Sequence, residues 1–189
     1  MDPNESALLG RRRGSAASAA LLACLSLASC DAAPEVRRDP EPLMQTSQLR
    51  YTLTSDELGF RTTIPYTFRN TTGGPVYLPN CEGDVRPILQ VELGGAWFDA
   101  WEPFRIRCVH APVVIGPGEV FDDTLRFFGA PSGSNLVPAF AFAEVEGVYR
   151  LLWTQAVSRH AEGRIDPTAL LPLEQRTSNR FVLERGDTR

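Results

Sequence analysis

Two cysteines lie near side chains that could take part in metal chemistry, and the residues concerned are Cys81, Cys108, Glu82, Asp84 and His110. Two thiolates, an imidazole and a carboxylate are ligands that zinc accepts. The spacing is nevertheless not typical of a structural zinc site, because a Cys-x-His pair stands far from a lone cysteine. The competing interpretation is a disulfide, and the choice depends on the compartment in which the chain folds.

The N-terminal residues indicate export. An arginine cluster at residues 11–13 precedes an apolar run over residues 16–28, and small residues end that run. This order is typical of a secretory signal peptide. The run is too short for a membrane span, which needs about 20 apolar residues. Because a single cysteine pair in an oxidising compartment forms a disulfide by default, we expect Cys81 and Cys108 to be joined.

A cysteine stands immediately after this segment, at the end of the sequence Leu-Ala-Ser-Cys that finishes at Cys30. This sequence resembles the lipobox of bacterial lipoproteins. The resemblance implies cleavage before Cys30, attachment of lipid such as palmitate, and a place in the bacterial cell envelope facing the periplasm or the exterior. Two or three acyl chains would anchor the protein stably, at about 0.8 kcal/mol per buried CH2. The alternative is an ordinary signal peptide, with Cys30 an incidental thiol.

Three parts of the chain follow from this interpretation. Residues 1–29 are the predicted lipoprotein signal peptide, and residues 30–47 are the lipidated cysteine and a tether. Residues 32–42 hold three prolines and five charges, which favours an extended tether. Residues 48–186 are predicted as one folded domain.

Composition and motifs argue against several classes of function. The formal net charge of −4 argues against a nucleic-acid partner, since such binding needs a basic surface. The sequence contains no Gly-x-Ser-x-Gly, His-Glu-x-x-His or phosphate-binding glycine motif. Asp122 and Asp123 are adjacent, so on a strand they face opposite ways and cannot act together. We expect no catalysis and no cofactor; a metal-dependent or hydrolytic enzyme using His110, Glu82 and Asp84 is the alternative.

Strand patterns run through the predicted domain. Ile64, Tyr66 and Phe68 alternate on one predicted face, and residues 147–157 are rich in strand formers. Turn residues separate about seven such segments, which predicts an all-β, antiparallel sandwich. Pro65 cannot donate a ladder hydrogen bond, so we expect it at a sheet edge or a bulge.

Several turn and strand motifs occur in a recognisable order. Asn-Thr-Thr-Gly begins at Asn70, Ile-Gly-Pro-Gly-Glu begins at Ile115, Gly-Val-Tyr-Arg-Leu spans 147–151 and Ser-Asn-Arg-Phe-Val spans 178–182. Together they resemble bacterial immunoglobulin-like domains, a plan shared by the bacterial intracellular proteinase inhibitor family and by related secreted proteins. The resemblance covers roughly residues 49–185 and implies an immunoglobulin-like sandwich. It does not imply one function, because sandwiches support many activities.

Four aromatic residues are candidates for contact with a partner. Trp97 and Trp101 lie in an acidic segment and could stack on a sugar or a peptide, although Trp97 could instead pack in the core. Phe140 and Phe142 alternate with alanines, which indicates either a buried strand or an exposed apolar surface.

The predicted function is a lipid-anchored, extracytoplasmic binding or scaffold module. It would contact the membrane through the lipid on Cys30 and an unknown protein or envelope component through its loops or an unpaired sheet edge. A second hypothesis is a protease inhibitor that presents the segment between Cys81 and Cys108 as a disulfide-constrained loop, because such a constraint lowers the ordering cost of binding.

Overall fold

The computed structural model describes residues 42–82, 85–104, 108, 110–161 and 164–186. The predicted signal peptide, Cys30 and most of the predicted tether lie outside these residues. All the described residues belong to one compact unit, Glu35–Arg189. The described residues contain no helix that is long and apolar enough to cross a membrane.

Strands make up most of the regular structure. The described part of the chain contains β1 Met44–Thr46, β2 Arg50–Ser55, β3 Phe60–Arg69, β4 Val76–Asn80, β5 Ile88–Leu93, β6 Ala96–Trp101, β7 His110–Ile115, β8 Val120–Gly129, β9 Gly147–Leu152, β10 His160–Ala161, β11 Arg164–Ile165 and β12 Phe181–Arg185. The count exceeds the predicted seven partly because β1, β10 and β11 have only two or three residues and leave no alternating pattern.

Eight of these strands form one hydrogen-bonded path, β1-β3-β2-β12-β9-β5-β6, with β8 added to β3. The path changes layer at β2, which pairs antiparallel with β3 at Thr54 and Ser55 and parallel with β12 from Arg50 to Leu53. One layer contains β1, β3 and β8, and the other contains β12, β9, β5 and β6. The layers pack as a sandwich, which confirms the predicted all-β fold.

The core between the layers follows the alternation in the sequence. Ile64, Tyr66 and Phe68 of β3 are all buried, as predicted for one face. Trp153, just after β9, packs its ring against both Tyr66 and Phe68, at centroid distances of 6.0 and 4.9 Å. Tyr149 is also buried, and it continues the core into β9. One contiguous apolar core therefore supports both sheets.

Pro65 lies in the middle of β3, in regular register with Thr124 of β8. The prediction of an edge or bulge position is therefore wrong. The carbonyl of Pro65 accepts a hydrogen bond from Ser47, just beyond the end of β1. A proline amide would point to the same side as that carbonyl. The ladder tolerates proline because that side of β3 is the gap between its pairing with β1 and its pairing with β2.

The folded body begins earlier than the sequence indicated. Met44 of β1 is fully buried, and β1 pairs with β3. The Asn179 side-chain carbonyl accepts hydrogen bonds from the Thr46 amide at 2.7 Å and the Thr46 hydroxyl at 3.2 Å. Residues 44–46 are thus part of the domain, and the boundary predicted at residue 48 falls after its first strand.

Cys81 and Cys108 form a disulfide, as the sequence predicts. Cys81 follows β4, and Cys108 precedes β7 by two residues. Since β4 and β7 pair antiparallel, the bridge joins the adjacent ends of these two strands. The segment between the cysteines contains β5 and β6, so the disulfide encloses a hairpin of the main sheet and not the single constrained loop predicted for an inhibitor.

Short elements lie between the longer strands. β7 lies between β6 and β8, and β10, β11 and two short 3-10 turns lie between β9 and β12. Asp166 caps the turn Pro167–Ala169, because its carboxylate accepts a hydrogen bond from the Thr168 amide at 2.9 Å.

Candidate functional site

The structure separates the four aromatic residues predicted as possible partner contacts. Trp101 and Phe140 are 3% and 2% exposed, so both belong to the core. Trp97 and Phe142 are partly buried and reach the surface. Phe142 packs on the exposed ring of Phe98, with ring centroids 6.3 Å apart. Only Trp97 and Phe142 therefore remain as candidates for contact.

A bulge explains why Trp101 turns inward. Leu89 pairs with Trp101 whereas its neighbour Gln90 pairs with Asp99, so Ala100 is the extra residue. The bulge shifts the alternation by one and directs the Trp101 indole into the core. Its Nε1 donates a hydrogen bond to the Phe128 carbonyl at 2.9 Å. The polar edge of this buried ring is thereby satisfied.

The β5–β6 hairpin places Trp97 on the outer face of the sheet. Gly94 and Gly95 form its two-residue loop with φ of 60° and 83°, a conformation that favours glycine at both positions. Trp97 pairs across the hairpin with Glu92, next to the core residue Val91. Because successive strand residues face opposite ways, Trp97 and Glu92 share the outer face.

Arg150 of β9 lies on the same face, over the indole of Trp97. The guanidinium carbon is 4.3 Å from the ring centroid, within the range of a cation–π contact. Its Nε donates a hydrogen bond to Gln90 Oε1 at 2.8 Å. Gln90 Nε2 in turn donates to Asp99 Oδ1 at 2.7 Å. These contacts hold the guanidinium of Arg150 in one orientation.

A second arginine approaches the same ring. Arg180, directly before β12, has its guanidinium carbon 5.5 Å from the Trp97 centroid. It also forms an ion pair with Glu92 at 3.5 Å. Burial lowers the pKa of Arg150, and repulsion from Arg180 lowers it further, while the carboxylates of Glu92 and Asp99 raise it. The positive charge of Arg150 is thus partly desolvated and close to a second one.

These side chains border an open cavity of about 550 Å³, here called the Trp97 groove. Its walls include Leu43, Trp97, Arg150, Leu173, Asn179 and Arg180. The segment before β12 forms its far wall and is held by several internal contacts. Arg176 Nε donates to the Leu171 carbonyl at 3.1 Å, and Thr177 Oγ1 donates to the Leu173 carbonyl at 3.1 Å.

The chemistry available in the groove is recognition. Two arginines beside an aromatic ring bind an anion or a planar group, and a guanidinium does not serve as a general base at neutral pH. The volume lies within the range of about 300–1,000 Å³ typical of ligand sites. Sequence reasoning found Trp97 but missed Arg150 and Arg180. The available signal was the outward position of Arg150, between the core residues Tyr149 and Leu151.

A second surface feature lies in the connection after β8. The Ala130 amide donates to the Pro138 carbonyl, and the Phe140 amide donates to the Ala130 carbonyl, each at 2.9 Å. These bonds fix the base of a loop over residues 131–139. Its apolar residues Leu136 and Val137 are 45% and 70% exposed. The loop therefore presents two aliphatic side chains on a restrained base.

The described residues considered for a metal site do not form a metal-binding group. His110 is exposed in β7, and Glu82 has a left-handed backbone with φ of 59° beside the disulfide. Asp84 lies outside the described residues. Where side chains are described, no group of three or more histidine, cysteine, aspartate or glutamate residues could hold a metal ion. Cys81 and Cys108 are joined to each other.

Comparison of the chain with protein-family models, with curated proteins and with solved structures gave no match.

Proposed function

We propose that this protein is a lipid-anchored, extracytoplasmic binding or scaffold module without catalytic activity. The sequence that ends at Cys30 supports the anchor, and the charged, proline-containing residues 32–42 would separate the body from the bilayer. The Cys81–Cys108 disulfide supports an oxidising compartment, because such bonds persist outside the cytosol.

The observation that carries the binding role is the arrangement of Arg150 over Trp97. Both side chains project from strands that flank β5 in one sheet, and their contacts fix them before any ligand arrives. Preorganised groups bind with a smaller loss of conformational freedom. An arginine held between an aromatic ring and a glutamine is therefore suited to recognition.

We also propose that the sandwich is immunoglobulin-like. The order β12-β9-β5-β6 corresponds to the G-F-C-C′ sheet of such domains, and β1-β3-β8 corresponds to A-B-E. The disulfide does not occupy the position of the antibody inter-sheet bridge, since it joins the ends of β4 and β7. The order of strands supports the relation, and the disulfide is a feature of this chain.

The anchor is tested by comparing the wild-type chain with Cys30→Ser in the producing cell. We expect the wild-type protein in the membrane fraction and released by detergent, and the variant in the soluble envelope fraction. Equal membrane association of both chains would contradict lipid anchoring at Cys30.

Binding is tested by crosslinking in isolated membranes, with Arg150→Gln as the groove variant. Arg126→Gln is the matched control, because Arg126 is an exposed arginine of β8 in the other layer. We expect one or more crosslinked species that disappear with Arg150→Gln and persist with the control. A crosslinking pattern that is the same in all three chains would contradict a binding role for the groove.

A protease inhibitor is the second candidate function, favoured now by the loop over residues 131–139. The exposed Leu136 and Val137 and the hydrogen-bonded base would suit a loop that enters a protease cleft. The test is a panel of serine and cysteine proteases with the double variant Leu136→Asp, Val137→Asp. Val114→Asp is the control, since the exposure of Val114 lies between those of Leu136 and Val137 but the residue is on β7. Inhibition lost only in the loop variant would favour this candidate, and no inhibition by the wild type would exclude it for that panel.

A further inference from the structure

The terminal nitrogens of Arg150 are the strongest unused binding groups of the Trp97 groove. Its Nε is bonded to Gln90, and one face of the guanidinium covers Trp97. In the described part of the chain, Nη1 and Nη2 of Arg150 have no hydrogen-bond acceptor from the protein. Arg150 lines the groove, so these two donors are available to a ligand there.

The nearby carboxylates do not occupy this pair of donors. Glu92 is paired with Arg180, and Asp99 accepts from Gln90. Burial and the proximity of Arg180 lower the pKa of Arg150, while Glu92 and Asp99 raise it, so its charge is partly desolvated and only partly compensated. An anion in the groove would add compensating charge.

Apolar surface lies next to these donors. Leu43 is partly buried at one side of the groove, and Leu173 is 45% exposed at another. The remaining indole surface of Trp97 adds to this surface. An inorganic anion would pair with Arg150 but leave this apolar surface exposed to water. A purely apolar ligand would cover the apolar surface but leave Arg150 without a partner.

We propose that the Trp97 groove binds a carboxylate attached to an apolar group, as at the C-terminus of a peptide whose last residue is apolar. The planar fork of an arginine matches the two oxygens of a carboxylate. Leu43, Leu173 and Trp97 would receive the adjoining apolar side chain. The inference rests on the proposed binding function and gives the chemical class of its ligand.

The experiment follows the tryptophan fluorescence of the purified full chain during titration with acetyl-Ala-Ala-Leu carrying a free carboxylate. The same peptide as its C-terminal amide tests the charge, hexanoate tests a small acid as the source of the chemistry, and inorganic phosphate tests an anion alone. We expect saturable binding of the free peptide, at least about tenfold tighter than that of the amide, since a charge-assisted hydrogen bond is lost. Saturable binding of hexanoate alone also supports the proposal and assigns the site to small acids.

Variants locate the effect. Arg150→Gln should weaken binding of the free peptide by about tenfold or more and leave the amide unchanged. Arg126→Gln should leave both affinities unchanged. Circular dichroism and thermal unfolding of each variant identify any loss of folding, and Arg150→Lys, which keeps the charge but not the fork, should restore only part of the affinity.

The proposal is overturned if the peptide binds and its amide binds with equal affinity, if phosphate is the only probe that binds, or if neither the peptide nor hexanoate shows saturable binding. The proposed function fails separately. If the probes do not bind but crosslinking in membranes still depends on Arg150, the binding module stands and the ligand class is wrong. If neither depends on Arg150, both fail.

Discussion

Single buried polar side chains connect the motifs of this sequence. Asn70 is fully buried, and its Nδ2 donates to the carbonyls of Gly74 and Ile115 at 2.9 and 2.8 Å. Its Oδ1 accepts from the amide and the hydroxyl of Thr72, at 3.0 and 2.6 Å. Asn70 thus joins the turn after β3 to the turn before β8. The asparagine motif and the Ile-Gly-Pro-Gly-Glu motif therefore contact each other directly, through the hydrogen bond from Asn70 to Ile115.

Asn70→Ala is expected to lower the free energy of unfolding by about 3 kcal/mol, because it leaves buried carbonyl and amide groups without partners. Urea unfolding followed by circular dichroism measures the change. The matched control is Asn135→Ala at an exposed loop position, which should shift stability by less than about 0.5 kcal/mol. Equal effects of the two substitutions would contradict the role given to Asn70.

Tyr149 makes stability depend on pH in alkaline solution. Burial, with a smaller contribution from Glu144, raises the pKa of its phenol above the ordinary value of 10. The folded state therefore holds this proton more tightly than the unfolded state. The resulting contribution of Tyr149 to the free energy of unfolding is complete below pH 10 and is lost as pH rises above 10. Tyr149→Phe should show a flatter decline in the free energy of unfolding between about pH 9 and 11. Parallel declines in the two proteins would contradict this prediction.

At the scale of elements, local alternation predicted strands well and long-range relations poorly. The buried set Ile64, Tyr66 and Phe68 was readable because a strand repeats every two residues. The inward turn of Trp101 was not, since it depends on a bulge that no alternation shows. Arg150 depends on Gln90, which lies 60 positions away in the chain. Of the candidate site, the sequence therefore predicted only Trp97. Its partners became visible only once the pairing of the strands was known.

The β5–β6 hairpin positions Trp97, so its turn is a test of the element. Gly94→Asn should be tolerated, because asparagine adopts the left-handed conformation that this turn uses. Gly95→Val should destabilise the fold by about 1–2 kcal/mol, since a β-branched residue is strained at φ of 83°. Thermal unfolding of both variants measures the difference. Equal melting temperatures would contradict the turn assignment.

The disulfide closes the part of the chain that contains β5 and β6. The chain-entropy estimate for a separation of 27 residues is about 3.5 kcal/mol of stabilisation. The double variant Cys81→Ala, Cys108→Ala should therefore unfold at lower urea than the wild type, by that order of free energy. Peptide binding by the folded double variant should persist, because neither cysteine lines the Trp97 groove. Unchanged stability would contradict a structural role for the bridge.

We propose that lipid on Cys30 holds the folded sandwich at a membrane. The most direct measurement is the intact mass of the protein purified from the cell that produces it. We expect a chain that begins at Cys30 and is heavier than its amino-acid sequence by the mass of covalently attached acyl chains. A chain that keeps residues 1–29, or one that carries an unmodified Cys30, would contradict it.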